Sequence, residues 1–289
     1  MVESDTVICH FEVINWHHFG EINTCVISGK HIESPDIGLT VLTSVTAFKL
    51  IGNYNVKFLP EHIADTIPRI VAYDAKYTLV KTVEMKHFQG MRNLANIALG
   101  HNTIETIKSD AFKGCKKLQY LYLFHNNIKE LQSNIFTCLP SLKLIYLKSN
   151  NLFEIPKGVL SGNKKLERFE AQNNFIEWID PDTFRNLTLL QNVDLQRNRC
   201  VDAKYNRTSF KSLRKDLLEK CNLKFGECRE TKTASGSGKS FEIVQSNVKL
   251  MKENEEILKT VKNQTRVIED LMKDVKMLKK TLKDISDDV

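Results

Sequence analysis

The sequence has no apolar run of the roughly 20 residues needed to cross a bilayer, so no membrane span is expected. Its first residues, MVESDTVICH, lack the apolar core of a secretory leader. It has no Arg/Lys-rich helix and no nucleic-acid-binding motif. The net charge of +7 therefore reads as solubility, and no nucleic-acid partner is expected. From Lys239 onward eleven basic residues face ten acidic ones, so most of the positive excess lies earlier in the chain. No Ser/His/Asp set, paired carboxylates or Cys–His–Asn pattern stands out, so neither an enzyme nor a cofactor is expected. His10, His17 and His18 lie close together, but no cysteine or histidine is spaced from them as zinc requires. The string GSGKS at 236–240 resembles the end of a phosphate-binding loop, but the motif needs a glycine where Thr233 stands, and no strand leads into it.

What the sequence does have is a repeat. From Leu94 it reads LANIALGHNTIETIKSDAFKGCKK, and from Leu118 LQYLYLFHNNIKELQSNIFTCLPS. Both lines fit L-x-x-L-x-L-x-x-N, the leucine-rich repeat pattern. First positions fall at Val45, Ile70, Leu94, Leu118, Leu142, Leu166 and Leu190, and a weaker copy begins at Ile22. The ninth position is Asn53, Thr78, Asn102, Asn126, Asn150, Asn174 and Asn198. Each L-x-L is a short strand with side chains alternating in and out, and such units stack into a curved solenoid. The Asn column can satisfy backbone groups where the chain turns inward after each strand. A late apolar column (Ile63, Phe88, Phe112, Phe136, Leu160, Phe184) fills the convex side. The expected fold is an α/β solenoid, a leucine-rich repeat horseshoe with disulfide caps followed by a long α-helical coiled coil. Its parts are an N-terminal cap and irregular first repeat over 1–44, repeats over 45–198, a cysteine cap over 199–228, a linker over 229–240 and the coil over 241–289.

Five of the seven cysteines (Cys9, Cys25, Cys200, Cys221 and Cys228) lie toward the ends of the array. A solenoid end exposes an apolar cross-section, and a small hairpin closed by Cys9–Cys25 would cover it. At the other end, Phe210, Leu213, Leu217 and Leu218 have helical spacing. Cys200 opens that cap and Cys221 ends its helix, so the two can close it on itself. Cys228 then remains for an interchain bridge, with Cys221 as the alternative interchain thiol. Cys115 and Cys138 sit in adjacent repeats and can be either a bridge or two core thiols.

Outward residues of each strand are the third, fifth, seventh and eighth of the unit. They place Tyr120, Tyr122, Phe124 and His125 beside Leu144 and Tyr146, with strands about 5 Å apart. Contiguous outward aromatics predict a partner-binding surface. His101 and His125, adjacent in the eighth column, can sense pH; as a metal site the pair lacks a third ligand, and no metal is expected.

In 241–289 the a positions are Asn247, Asn254, Val261, Ile268, Val275 and Leu282, and the d positions include Leu271 and Leu278. Branched residues and Asn at a, with Leu at several d sites, favour a parallel two-stranded coil. The sequons at Asn186, Asn206 and Asn263 are candidate glycosylation sites. Together with the cysteines they favour an exported chain, in mature form or without its leader.

The order of parts, with NRCVDA opening the second cap, resembles the short, coiled-coil-bearing members of the mosquito leucine-rich repeat immune protein family. That resemblance implies a secreted haemolymph protein, disulfide-linked through its cap region and paired by its coil, with itself or with a related leucine-rich repeat protein. It also implies a complement-like thioester protein as a partner. The competing expectations are a receptor-like module that grips a microbial ligand on its concave face, and an intracellular leucine-rich repeat adaptor.

Overall fold

The computed structural model describes residues 9–28, 44–51 and 56–221. Asn53, Cys228, the linker, Asn263 and the whole predicted coil lie outside the described residues.

The chain opens with a hairpin, β1 (His10–Trp16) and β2 (Gly20–Ser28), followed by β3 (Ala47–Ile51), a short helix α1 (Ile63–Thr66) and β4 (Ala72–Asp74). The central repeats give β5 (Thr82–Val83), β6 (Asn96–Ala98), β7 (Thr106–Ile107), β8 (Tyr120–Tyr122) and β9 (Leu144–Tyr146). The last give β10 (Glu154–Ile155), β11 (Arg168–Glu170), β12 (Trp178–Ile179), β13 (Asn192–Asp194), β14 (Lys204–Asn206) and the helix α2 (Phe210–Lys220). One ten-stranded sheet runs in the order β1-β2-β3-β4-β6-β8-β9-β11-β13-β14, parallel throughout except for the antiparallel end pairs β1–β2 and β13–β14. Two small ladders, β5–β7 and β10–β12, lie outside it. Each L-x-L segment from Phe48 to Leu195 pairs with its neighbour at one repeat's offset, so the repeat register is the sheet register. The weak copy at Ile22 belongs to it, because β2 pairs in parallel with β3, with Cys25 opposite Phe48.

The inward positions form one continuous core from Cys9 to Cys221. Phe88, Phe112 and Phe136 stack along the convex side at 6.0 and 6.5 Å between ring centroids. The Asn column acts as a ladder. Asn126 Nδ2 donates to its own Leu123 carbonyl at 3.0 Å and to Leu99 of the previous repeat at 2.9 Å, and its Oδ1 accepts from the Ile104 amide at 3.0 Å. Asn150, Asn174 and Asn198 repeat the pattern. The residue before each takes positive φ (His101 56°, His125 53°, Ser149 55°, Asn173 57°, Arg197 55°). That conformation costs about 1–2 kcal/mol for a side-chain-bearing residue. The ladder's uncharged and mostly buried hydrogen bonds offset the cost by holding the turn.

Both expected caps are closed. Cys9–Cys25 bridges the first hairpin, with Cα atoms 5.3 Å apart, and Cys200–Cys221 bridges the second cap at 5.0 Å. The second bridge takes up Cys221, so the interchain alternative for that thiol falls away. Cys115 and Cys138 are separate thiols, and Cys138 Sγ points to the Phe112 carbonyl at 3.7 Å. In α2, Leu213 and Leu217 are buried, but Leu218 is exposed, because it falls one position beyond the buried stripe. Among the described residues no helix is long and apolar enough to cross a membrane.

Candidate functional site

The concave face carries the six residues singled out in the sequence, and strand register brings five of them together. Tyr120 lies opposite Leu144, and Tyr122 lies between Ala98 and Tyr146. Phe124 stacks on Tyr146 at 5.1 Å, and Tyr122 meets Tyr146 edge-on at 6.3 Å. The Phe124 ring lies flat across the neighbouring strand because Gly100 has no side chain there: a Cβ at Gly100 would sit 2.6 Å from the ring. His125, in the eighth column, meets the Phe124 ring edge-on at 5.7 Å. It stacks on His101 at 4.6 Å, and His101 stacks on Tyr77 at 4.5 Å, so three parallel rings line the edge of the face. Burial, the neighbouring His125 and Lys76 hold His101 below the ordinary histidine pKa.

The face is not as open as strand alternation predicts. Leu144 is only 7% exposed, and Tyr120, Tyr122, Phe124 and Tyr146 are half-buried. The packing of Tyr122 and Phe124 on Tyr146 is one reason, and the N-terminal hairpin is the other. It covers the end of the array, as expected, but its tip also bends over the sheet. Trp16 packs on Ala47 and Ala72, two outward third-column positions small enough to receive an indole. Its Nε1 donates to the buried Thr24 hydroxyl at 3.1 Å. Beyond Trp16, the His18 ring stacks on Tyr120 at 3.8 Å with an interplanar angle of 3°, and Phe19 meets the same ring edge-on. His18 Nε2 and the Tyr122 hydroxyl are 2.9 Å apart. Burial first, then Tyr120, pushes the Tyr122 hydroxyl up to about 12, so it stays protonated while it shares this hydrogen bond. His18 Nδ1 faces His17 Nδ1 at 3.4 Å.

Between hairpin and sheet lies a pocket of about 580 Å³. Its roof is Ile14–His18. Its floor holds Asn96 and Ala98, and its wall Tyr122, Phe124, Leu144 and Tyr146. Ion pairs close its two ends. Asp74, buried, accepts from the Lys76 ammonium at 3.2 Å and from the Lys76 amide at 3.1 Å, and Arg168 pairs with the buried Glu170. Lys49 also lines the pocket. Asn96 is 6% exposed, and its Oδ1 has no hydrogen-bond partner. The sequence reading missed the roof, Lys49, the Lys76–Asp74 pair and the Arg168–Glu170 pair. One signal for the roof was present: small residues at Ala47 and Ala72, where later repeats carry Tyr120, Leu144 and Arg168. Among the described residues no group of three or more His, Cys, Asp or Glu is placed to hold a metal ion.

Of the candidate glycosylation sites, Asn186 and Asn206 are exposed. Asn206 Oδ1 caps the turn into α2, accepting from the Thr208 amide at 3.1 Å and from its hydroxyl at 2.7 Å.

The family described as BspA type Leucine rich repeat region matches residues 81–224 in six copies. The search of curated proteins found no match. Among solved structures, the TLR13–ssRNA13 complex is 22% identical over 61% of this chain and 27% of its own, with a TM-score of 0.45. The Toll–Spatzle complex of Drosophila is 18% identical over 54% of this chain and 22% of its own, with a TM-score of 0.48. The chain thus spans about a quarter of the length of these two proteins.

Proposed function

We propose that this leucine-rich repeat protein is a secreted, non-enzymatic recognition module of innate immunity that binds a partner on its concave face. The observation that carries the reading is the ring cluster of Tyr122, Phe124 and Tyr146, which keeps aromatic surface at the solvent beside a formed pocket. Half-buried aromatics beside a pocket match the composition of binding hot spots. Two disulfides support an extracellular setting, since cytosolic thiols are kept reduced, and they weigh against an intracellular adaptor. Following the family resemblance, the partner is a complement-like thioester protein. The chain pairs with itself or with a related leucine-rich repeat protein through residues 241–289, with Cys228 as the interchain thiol. Asn186, Asn206 and Asn263 are the proposed glycan carriers. The second reading, direct capture of a microbial ligand, is favoured by the pocket itself, whose volume suits a small molecule.

The test is crosslinked capture from haemolymph by the full chain and by a Tyr122→Ala/Tyr146→Ala variant. Loss of a hot spot of about 2 kcal/mol weakens binding about 30-fold, with the array still folded at the temperature of the assay. Equal capture by both proteins would show that the concave aromatics are not the docking surface.

A further inference from the structure

We infer that the pocket beneath the N-terminal hairpin binds a short, uncharged saccharide of roughly two or three sugar rings. The inference rests on the concave-face reading above and names the ligand class for one part of that face.

The pocket's chemistry selects the ligand. Its volume of about 580 Å³ falls within the range of about 300–1,000 Å³ typical of small-molecule sites. Aromatic rings line it on two sides, Trp16 and His18 in the roof and Tyr122, Phe124 and Tyr146 in the wall. A pyranose presents C–H bonds on its ring faces and hydroxyls around its rim, so it packs against aromatic rings while its edge seeks hydrogen bonds. The site offers those bonds at Asn96. This amide is buried on the pocket floor with its Oδ1 unpartnered, and a buried polar group without a partner calls for one. Asn15 in the roof offers a second amide.

Other ligand classes fit less well. The two carboxylates each already hold a cation, Asp74 that of Lys76 and Glu170 that of Arg168. Among the described lysines, arginines and carboxylates of the lining, that leaves Lys49 alone without an ion pair, which is too little for a phosphate chain. A wholly apolar ligand would bury the Asn96 amide without relief. A peptide that binds by strand addition draws its affinity from pairing with a free sheet edge. Here the floor is the face of a sheet whose backbone groups already pair with neighbouring strands.

The experiment is saturation-transfer NMR on the full-length chain with chitotriose and maltotriose as probes, alongside Tyr146→Ala and Asn96→Leu variants. Transfer is expected to the sugar ring protons, with affinity falling at least tenfold in each variant. Asn96→Leu removes the amide and fills the floor. Tyr146 is half-buried on the open face, so Tyr146→Ala keeps the test valid if the Asn96 variant fails to fold. Absence of transfer from both sugars at millimolar concentration overturns the proposal, as does equal transfer in wild type and folded variants. The capture assay runs in parallel. No sugar binding with capture still lost in the Tyr122→Ala/Tyr146→Ala variant removes the saccharide and leaves the concave-face reading standing. No sugar binding with capture unchanged removes both.

Discussion

The contact between the hairpin tip and the aromatic wall sets how much of the concave face a partner can reach, and His18→Ala measures it. His18 contributes a ring stack on Tyr120 at 3.8 Å and a hydrogen bond to Tyr122 at 2.9 Å. Aromatic pairs contribute about 0.5–1.5 kcal/mol, and a net hydrogen bond contributes about the same. His18 is exposed, so the low ends apply, and their sum is about 1 kcal/mol. That amounts to about a fivefold change in the ratio of closed to open tip. The base of the hairpin is held by Cys9–Cys25 and by the pairing of β2 with β3, so only the tip is released. Native-state hydrogen exchange is the assay. The Phe19 amide, which donates to the Trp16 carbonyl at 2.8 Å, should exchange about fivefold faster in the variant. The same contact should depend on pH. Burial first, then His17, Arg168 and Lys143, holds the His18 pKa below its ordinary 6.5, while stacking on Tyr120 favours the cation in the opposite sense. Three neighbouring bases and desolvation outweigh the one ring. A lowered pKa in the closed form means that the closed form binds protons less well than the open one. Closure is then strongest above pH 6.5 and is lost as pH falls from 6.5 through the lower closed-state value. Wild-type exchange at Phe19, corrected for the intrinsic rate, should accelerate on acidification, and the His18→Ala protein should lack that dependence. A His18 titration at or above 6.5 by NMR, or identical exchange in the two proteins, would refute the reasoning.

Asn126→Ala should cost about 3 kcal/mol, because it strips the Leu99 and Leu123 carbonyls and the Ile104 amide of a buried partner at about 1 kcal/mol or more each; a lowered denaturant midpoint at unchanged slope would show it, and a change below about 1 kcal/mol would contradict the ladder's role. Gly100→Ala brings a Cβ to 2.6 Å from the Phe124 ring. That ring is half-buried and can swing aside, so stability should fall by less than about 1.5 kcal/mol while sugar transfer and partner capture both drop; unchanged binding would show that the ring's placement does not matter. Cys228→Ser protein from insect cells should run as a monomer on a non-reducing gel yet scatter light as a dimer; a disulfide-linked dimer that persists would exclude Cys228 as the interchain thiol.

The repeat register was legible in the sequence because each unit cannot bury its own apolar face, so the columns must align for a core to exist. Leu94, Leu118 and Leu142 mark the stacking, and Asn102, Asn126 and Asn150 mark the turns. Both cap bridges followed from where the solenoid must be sealed. The covering of the concave face was not legible, for a physical reason. Strand alternation says which way a side chain points and nothing about what lies above it. Whether Asn96, Ala98 and Leu144 meet solvent is decided by the hairpin at the start of the chain, about 80 residues or more before them in sequence. The pocket depends on the same long-range contact. Its roof is a cap element, its floor is the middle of the array, and Trp16 joins them only because Ala47 and Ala72 leave room. Larger side chains at those two positions would lift the indole from the sheet, take the roof off the pocket and leave the aromatic wall as open as its alternation implies. Trp16, in the hairpin that caps the array, thus also shapes the pocket over the array's concave face.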